Sequence, residues 1–277
     1  MIYLNPEIVS GLGEDTFWTW FHREFPNSSF DVPDRLRDQD VVLRYSTLGL
    51  LPVVGKQVAL CWELYPAMKD RFGLSIWDEK LARVHETARY ATYRTVASEL
   101  TRPTYEAYGS VDIVPIGVDT DLFKPLPNKV ELREKHGVPQ DREIGLWIGT
   151  AHPMKGFALL LEYAKQRREI HWITICKTQE ESVAMPGATS FVHANQRTIC
   201  ELINAADFFL STSLLRPFFM AEWEAMACGV PMSLIGEPRK EFTPSDNPRD
   251  DVFRFGWDRP SVKATWEQFF QLHGIAV

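Results

Sequence analysis

The chain has no excess of positive charge. Its 30 lysines and arginines stand against 37 aspartates and glutamates, a net charge of −7. Residues 1–114 carry 12 basic and 16 acidic side chains, and residues 115–277 carry 18 and 21, so neither half is basic. Tight non-specific binding to nucleic acid needs a phosphate-neutralising surface, which this balance excludes beyond a local groove. Cysteine is scarce. Cys61, Cys176, Cys200 and Cys228 show no metal-ligand spacing and are too few for a disulfide scaffold. Cys61 and Cys176 sit in apolar runs and read as core thiols, which fits a reducing cytoplasm. Long hydrophobic runs are missing too. The stretch from Leu48 to Trp62 is broken by Pro52 and Lys56, and no segment is read as spanning a bilayer. The first residues lack the basic region of a signal peptide, so a cytoplasmic protein is expected, and Asn27-Ser28-Ser29 is a glycosylation sequon by spelling only.

What is present is a rhythm. The 277 residues are 45% hydrophobic and 12% aromatic, enough for one large core or two smaller ones. Strands are predicted at Ile2–Leu4, Val41–Ser46, Val58–Leu64, Tyr93–Ser98 and Val111–Pro115, with helices at Glu14–Glu24, Asp78–Ala91 and Thr101–Tyr108. A second series has strands at Glu143–Gly149, Ile170–Lys177, Thr189–Val192, Asp207–Ser211 and Val230–Ile235. Its helices fall at Gly156–Arg168, Gln196–Ala205, Met220–Ala227 and Ser261–Leu272. Such alternation predicts parallel sheets covered on both faces by helices. Pro115 to Asn128, with three prolines and a glycine, reads as the connection between two doubly wound domains facing across a cleft. The domains are drawn at residues 1–115 and 116–260, with the final helix, 261–277, packing back on the first through Trp266, Phe269 and Phe270.

Several motifs fail on spacing. Gly49 and Gly55-Lys56-Gln57 miss the phosphate loop by one residue and lack its Ser/Thr. His85-Glu86 is followed by Arg89 where a zinc motif needs histidine, and His85 reads as an exposed helix residue. Ser10-Gly11-Leu12-Gly13 lies between the first strand and helix without the third glycine of a dinucleotide fingerprint. It is either a plain turn or one that lets backbone N–H groups meet a phosphate or sugar. Phe17, Trp18, Trp20 and Phe21 crowd one helix, and read as core or as a glycan- or membrane-facing surface.

Two runs carry chemistry. Strand Glu143–Gly149 leads through Thr150-Ala151-His152-Pro153-Met154-Lys155-Gly156 into a helix, which sets Lys155 beside a helix N-terminus. A cation and unsatisfied N–H groups together suit a diphosphate, and a solvated lysine is the bland alternative. In Arg216-Pro217-Phe218-Phe219-Met220-Ala221-Glu222-Trp223-Glu224-Ala225-Met226-Ala227-Cys228-Gly229-Val230-Pro231, Glu224 lies among small and apolar neighbours. There it needs a partner, either ribose hydroxyls or a group of the protein itself.

These runs resemble the GT-B glycosyltransferases, and among them glycosyltransferase family 4, over most of residues 93–277. Val114-Pro115-Ile116-Gly117-Val118-Asp119 through Pro125 is similar to the family's interdomain linker. Trp147-Ile148-Gly149 through Lys155-Gly156 is similar to its donor-phosphate loop, and Glu224 through Pro231 to its ribose-binding helix, the most specific of these matches. Trp266-Glu267 is similar to its last crossing helix. The resemblance implies that Lys155 holds the donor diphosphate and Glu224 the ribose. It implies that Gly11 and Gly13 meet the donor sugar and phosphate, and that Phe191-Val192-His193 sits where the family's base-contacting loop follows a strand. The candidate donor-binding set is Gly11, Gly13, Gly149, Thr150, Lys155, Val192, His193, Arg216, Glu222 and Glu224. Lys155, Glu224 and Glu63 are the catalytic candidates, with Glu63 to position or deprotonate the acceptor.

Three positions depart from the family. Thr150 replaces an arginine, Arg216 replaces the first of two glutamates, and Trp62-Glu63 stands for a His-Asp pair. The first two changes conserve charge, so Arg216 is expected to take over a diphosphate or sugar contact. The implied reaction is metal-free, retaining transfer from a UDP- or GDP-type sugar, with no cofactor. The acceptor is a glycan or a hydroxymethylated DNA base, since the phosphate loop also resembles that of phage DNA glucosyltransferases and Arg83, Arg89, Arg94 and Arg102 offer a basic patch. A fold that binds nucleotide-sugars without turnover is the alternative. A nicotinamide-dependent oxidoreductase fits the alternation but not the glycine pattern.

Overall fold

The computed structural model describes all residues except 6–12, 52–54, 63, 74–77, 181–184, 186, 216–219 and 236–243, and leaves out the side chains of 13–16 and 65. Gly11, Glu63 and Arg216 therefore lie outside the described residues. The chain divides into two compact units, one of Met1–Gly117 with Arg259–Val277 and one of Val118–Asp258.

The first unit holds a six-stranded parallel sheet in the order β2-β1-β3-β4-β5-β6. Its strands are β1 (Ile2–Asn5), β2 (Ser28–Ser29), β3 (Val41–Tyr45), β4 (Lys56–Leu60), β5 (Tyr93–Val96) and β6 (Asp112–Ile113). Its helices are α1 (Gly13–Glu24), α2 (Tyr65–Phe72), α3 (Asp78–Tyr90), α4 (Arg102–Glu106) and, from the chain's far end, Arg259–Leu272. The last is α10 below. β3 is buried along its whole length, as a sheet covered on both faces requires. The aromatic residues of α1 are core: Phe17, Trp18, Trp20 and Phe21 are all buried. Phe17 meets Trp62 edge-on with centroids 4.8 Å apart, and Phe21 meets Trp266 of α10 at 5.3 Å. The glycan- or membrane-facing reading of these four side chains is thereby withdrawn. His85 is half-buried, its Nδ1 bonded to the Tyr108 hydroxyl, rather than an exposed helix residue.

The second unit holds β7 (Ile144–Ile148), β8 (His171–Cys176), β9 (Thr189–Val192), β10 (Phe208–Ser211) and β11 (Met232–Leu234). They form a parallel sheet in the order β11-β10-β7-β8-β9. Its helices are α5 (Lys129–Lys135), α6 (Phe157–Gln166), α7 (Gln196–Ala205), α8 (Met220–Ala227) and α9 (Pro248–Arg254). Trp147, Leu160, Trp172 and Leu210 centre its core. Within Pro115–Asn128 the second unit begins at Val118. Val118 N donates to Trp257 O and pairs with Asp258, while Asn204 binds Lys124 O and Leu126 N.

All sheet neighbours described in both units are parallel, joined in the doubly wound manner, which is the GT-B architecture. Among the described residues no helix is long and apolar enough to cross a membrane. All four cysteines are free and buried.

Candidate functional site

In the second unit the chain runs from β7 to β8 and β9 on one side, then to β10 and β11 on the other. The order reverses between β7 and β10, and ligands of such sheets lie at that point, beyond the carboxyl ends of the strands. The loops leaving these two strands are Gly149–Gly156 and Thr212–Leu214. They are laced together. The Trp147 indole Nε1 donates to Thr212 Oγ1 (3.1 Å), which donates to Lys155 O (2.7 Å), and Leu214 N donates to Met154 O (2.9 Å). Gly156 has φ +65°, and a Cβ there would lie 2.0 Å from Thr212 O. Only glycine lets the two backbones come this close.

Within the first loop, Pro153–Lys155 forms one turn of 3-10 helix. His152 caps it, its Nδ1 accepting from Met154 N at 3.2 Å. Burial, and after it the Lys155 cation, lowers the pKa of His152. The neutral imidazole that results is the form able to accept this bond. Lys155 is half-buried, one residue before the N-cap of α6, and no side chain caps that helix. The first-turn N–H groups of a helix have no partner within it. A lysine and a helix N-terminus therefore meet at the switch point, and their joint preference is for an anion.

Gly149 and Thr150 are half-buried in the same loop. A Cβ on Gly149 would meet the Trp147 ring at 2.8 Å. Val192 ends β9, and His193 follows it, exposed and in the left-handed region at φ 54°. Both lie on the same carboxyl edge as the β7 loop, two strands away. Glu222 and Glu224 are both buried on α8. Two residues turn a helix by about 200°, so they leave it on opposite sides. Glu222 accepts a hydrogen bond from Ser211 Oγ at the end of β10 and so reaches the switch-point edge. Gly13 opens α1 in the first unit. Thr212 and Ser211 escaped the sequence reading. Their signal was position alone, Ser211 ending a strand of the second series and Thr212 directly after it.

The comparisons agree with this fold. HepE of Anabaena, solved with UDP-glucose, matches with a TM-score of 0.71 at 13% identity, over 98% of this chain and 99% of that one. Sucrose-phosphate synthase from Thermosynechococcus elongatus matches with a TM-score of 0.69 at 15% identity, over 85% and 74%. In sequence, a D-inositol 3-phosphate glycosyltransferase of Kineococcus radiotolerans is 29% identical over 126 residues, 44% of this chain and 28% of the relative. The matched stretches span 28 to 43% of the curated relatives' lengths. No protein-family model matches the chain. The sequence relatives are thus glycosyltransferases by name, and the structural neighbours share the GT-B fold.

Proposed function

We propose that the chain is a glycosyltransferase that takes a sugar from a nucleotide-sugar and passes it to an acceptor hydroxyl. The observation that carries this reading is the β7–α6 loop, with Lys155 at a helix N-terminus on the switch point. It is supported by relatives named D-inositol 3-phosphate glycosyltransferases and by a neighbour solved with UDP-glucose, which favours a UDP-type donor. Transfer breaks the bond from the anomeric carbon to the diphosphate and forms one to the acceptor oxygen. The acceptor proton leaves with the departing diphosphate. Charge on that leaving group is the main demand, and Lys155 with the α6 N-terminus meets it without a metal. Departure and attack on one face of the sugar give retention. By the family resemblance Glu224 binds the ribose, and Arg216 is expected to take over a diphosphate or sugar contact. A carbohydrate-type hydroxyl is preferred as acceptor over a DNA base, because the net −7 charge opposes a duplex.

The test is a thermal-shift panel of nucleotides and nucleotide-sugars, followed by turnover of whichever binds. A donor at about a hundred times its Kd stabilises by about 2.7 kcal/mol. That shift is expected for one nucleotide-sugar and is expected to vanish in Lys155→Ala and shrink in Glu224→Gln. Binding without transfer or hydrolysis would leave a non-catalytic module. No shift with any member would remove the donor reading.

A further inference from the structure

The carboxyl edge of the first unit's sheet holds a charge that its described neighbours leave unmatched. Arg44 is the penultimate residue of β3, in register with Asn5, the last residue of β1, and with Ala59 of β4. The chain passes from β1 to β2 on one side and to β3 on the other. β1 and β3 therefore flank this sheet's own point of reversal, where ligands of open α/β sheets bind. The guanidinium extends beyond the strand, for Nη2 donates to Leu48 O at 2.9 Å in the turn that follows. Arg44 is only 5% exposed, and its Nε and Nη1 are buried with no hydrogen-bond partner among the described residues. Burial lowers its pKa to about 10, which leaves it a cation at neutral pH. Helix α3 packs against Ser46–Leu48 and carries Thr87, whose Oγ1 is likewise buried without a partner among the described residues.

A buried cation with unmatched N–H groups is costly, and an oxyanion removes the cost. We propose that Arg44 binds an oxyanion, the phosphate or carboxylate of a small-molecule ligand seated at the carboxyl edge of the first unit's sheet. Resting on the function proposed above, that ligand is the acceptor, and Arg44 selects acceptors that carry an anionic group. Arg44 belongs to the first unit and the Lys155 loop to the second.

Inorganic phosphate and acetate serve as probes in thermal shifts of the full chain, Arg44→Met and Lys155→Ala. The expected result is a rise of a few degrees in the wild type, largely kept in Lys155→Ala and sharply reduced in Arg44→Met, where only the Lys155 loop can still take the ion. The larger rise of the two probes assigns phosphate or carboxylate. A wild type unmoved by both ions, or an Arg44→Met protein that responds like the wild type, overturns the proposal. Should Arg44→Met not fold, Arg44→Lys decides. A weakened response supports the site, and an unchanged one overturns it. Loss of the nucleotide-sugar shift is read separately in Lys155→Ala, so failure of the donor reading and failure of this one are distinguishable.

Discussion

A single methyl group decides whether the loop after β7 keeps its shape. In Gly156→Ala the new Cβ meets Thr212 O at 2.0 Å, and the residue is held at φ +65°. Gly187 has φ +83° with nothing within 4 Å of its Cβ position, so Gly187→Ala carries the left-handed cost alone, about 1–2 kcal/mol. Gly156→Ala is expected to cost about 1–3 kcal/mol more, since two backbones must part. Urea denaturation of the two variants measures the difference, and only Gly156→Ala should also abolish a nucleotide-sugar shift. His152 makes a second, pH-dependent prediction. Its pKa is lowered in the folded chain, so the unfolded chain takes up the proton first as pH falls. The stability it contributes is present above the unfolded value of 6.5 and is lost as pH falls from there toward the folded one. His171, whose pKa burial also lowers, adds loss in the same window. The comparison with His152→Asn isolates the first. Asparagine keeps an acceptor for Met154 N, and the variant should lose less melting temperature between about pH 7.5 and about pH 5.5.

At the scale of elements, α10 shows what the first unit owes to the far end of the chain. Val262, Trp266, Phe269 and Phe270 are buried, and Trp266 packs on Phe17 and Phe21 of α1. Trp266→Ala is expected to destabilise by about 3–5 kcal/mol in urea denaturation. This helix was legible because its aromatic residues recur at helical spacing. Gln196–Ala205 was legible to the residue through its periodicity, and Thr189–Val192 and Met220–Ala227 were also read to the residue, though neither alternates cleanly between buried and exposed positions. Helices α2, α5 and α9 were not. Five of the seven residues of α5 are charged, and its buried member is Arg133, bonded to Ala205 O and Asp207. Only the tertiary partners reveal that this arginine faces inward. β4 ends at Leu60, four residues short of the reading, because its apolar run continues past the last sheet pairing. In the site, Lys155 could be read because the pattern changes from strand to helix around it. Thr212 could not, since its bond to Lys155 O spans 57 residues and exists only because β7 and β10 are neighbours.

The whole molecule is asymmetric in how its two units are strung. Val118–Asp258 is one unbroken stretch with its own five-stranded sheet and core. The chain enters and leaves it side by side, at Val118 and Asp258, which pair with each other. Met1–Gly117 is incomplete by comparison, because its aromatic core is closed by α10, and Gly117 at φ +85° lies against Val262 of that helix. A unit with continuous sequence and a core of its own is the kind of domain that folds alone. Residues 118–258 expressed separately are therefore expected to unfold cooperatively in circular dichroism and to bind the same nucleotide-sugar as the full chain, with affinity reduced by whatever the first unit contributes. Residues 1–117 expressed separately expose the faces that Trp266 and Phe270 cover, and are expected to aggregate or stay unfolded. In the full chain, donor should then raise the transition of the second unit more than that of the first, since a ligand stabilises the state that binds it. A separate 118–258 fragment that folds without binding any nucleotide-sugar would show that the Lys155 loop is insufficient, and that donor affinity depends on residues of the first unit.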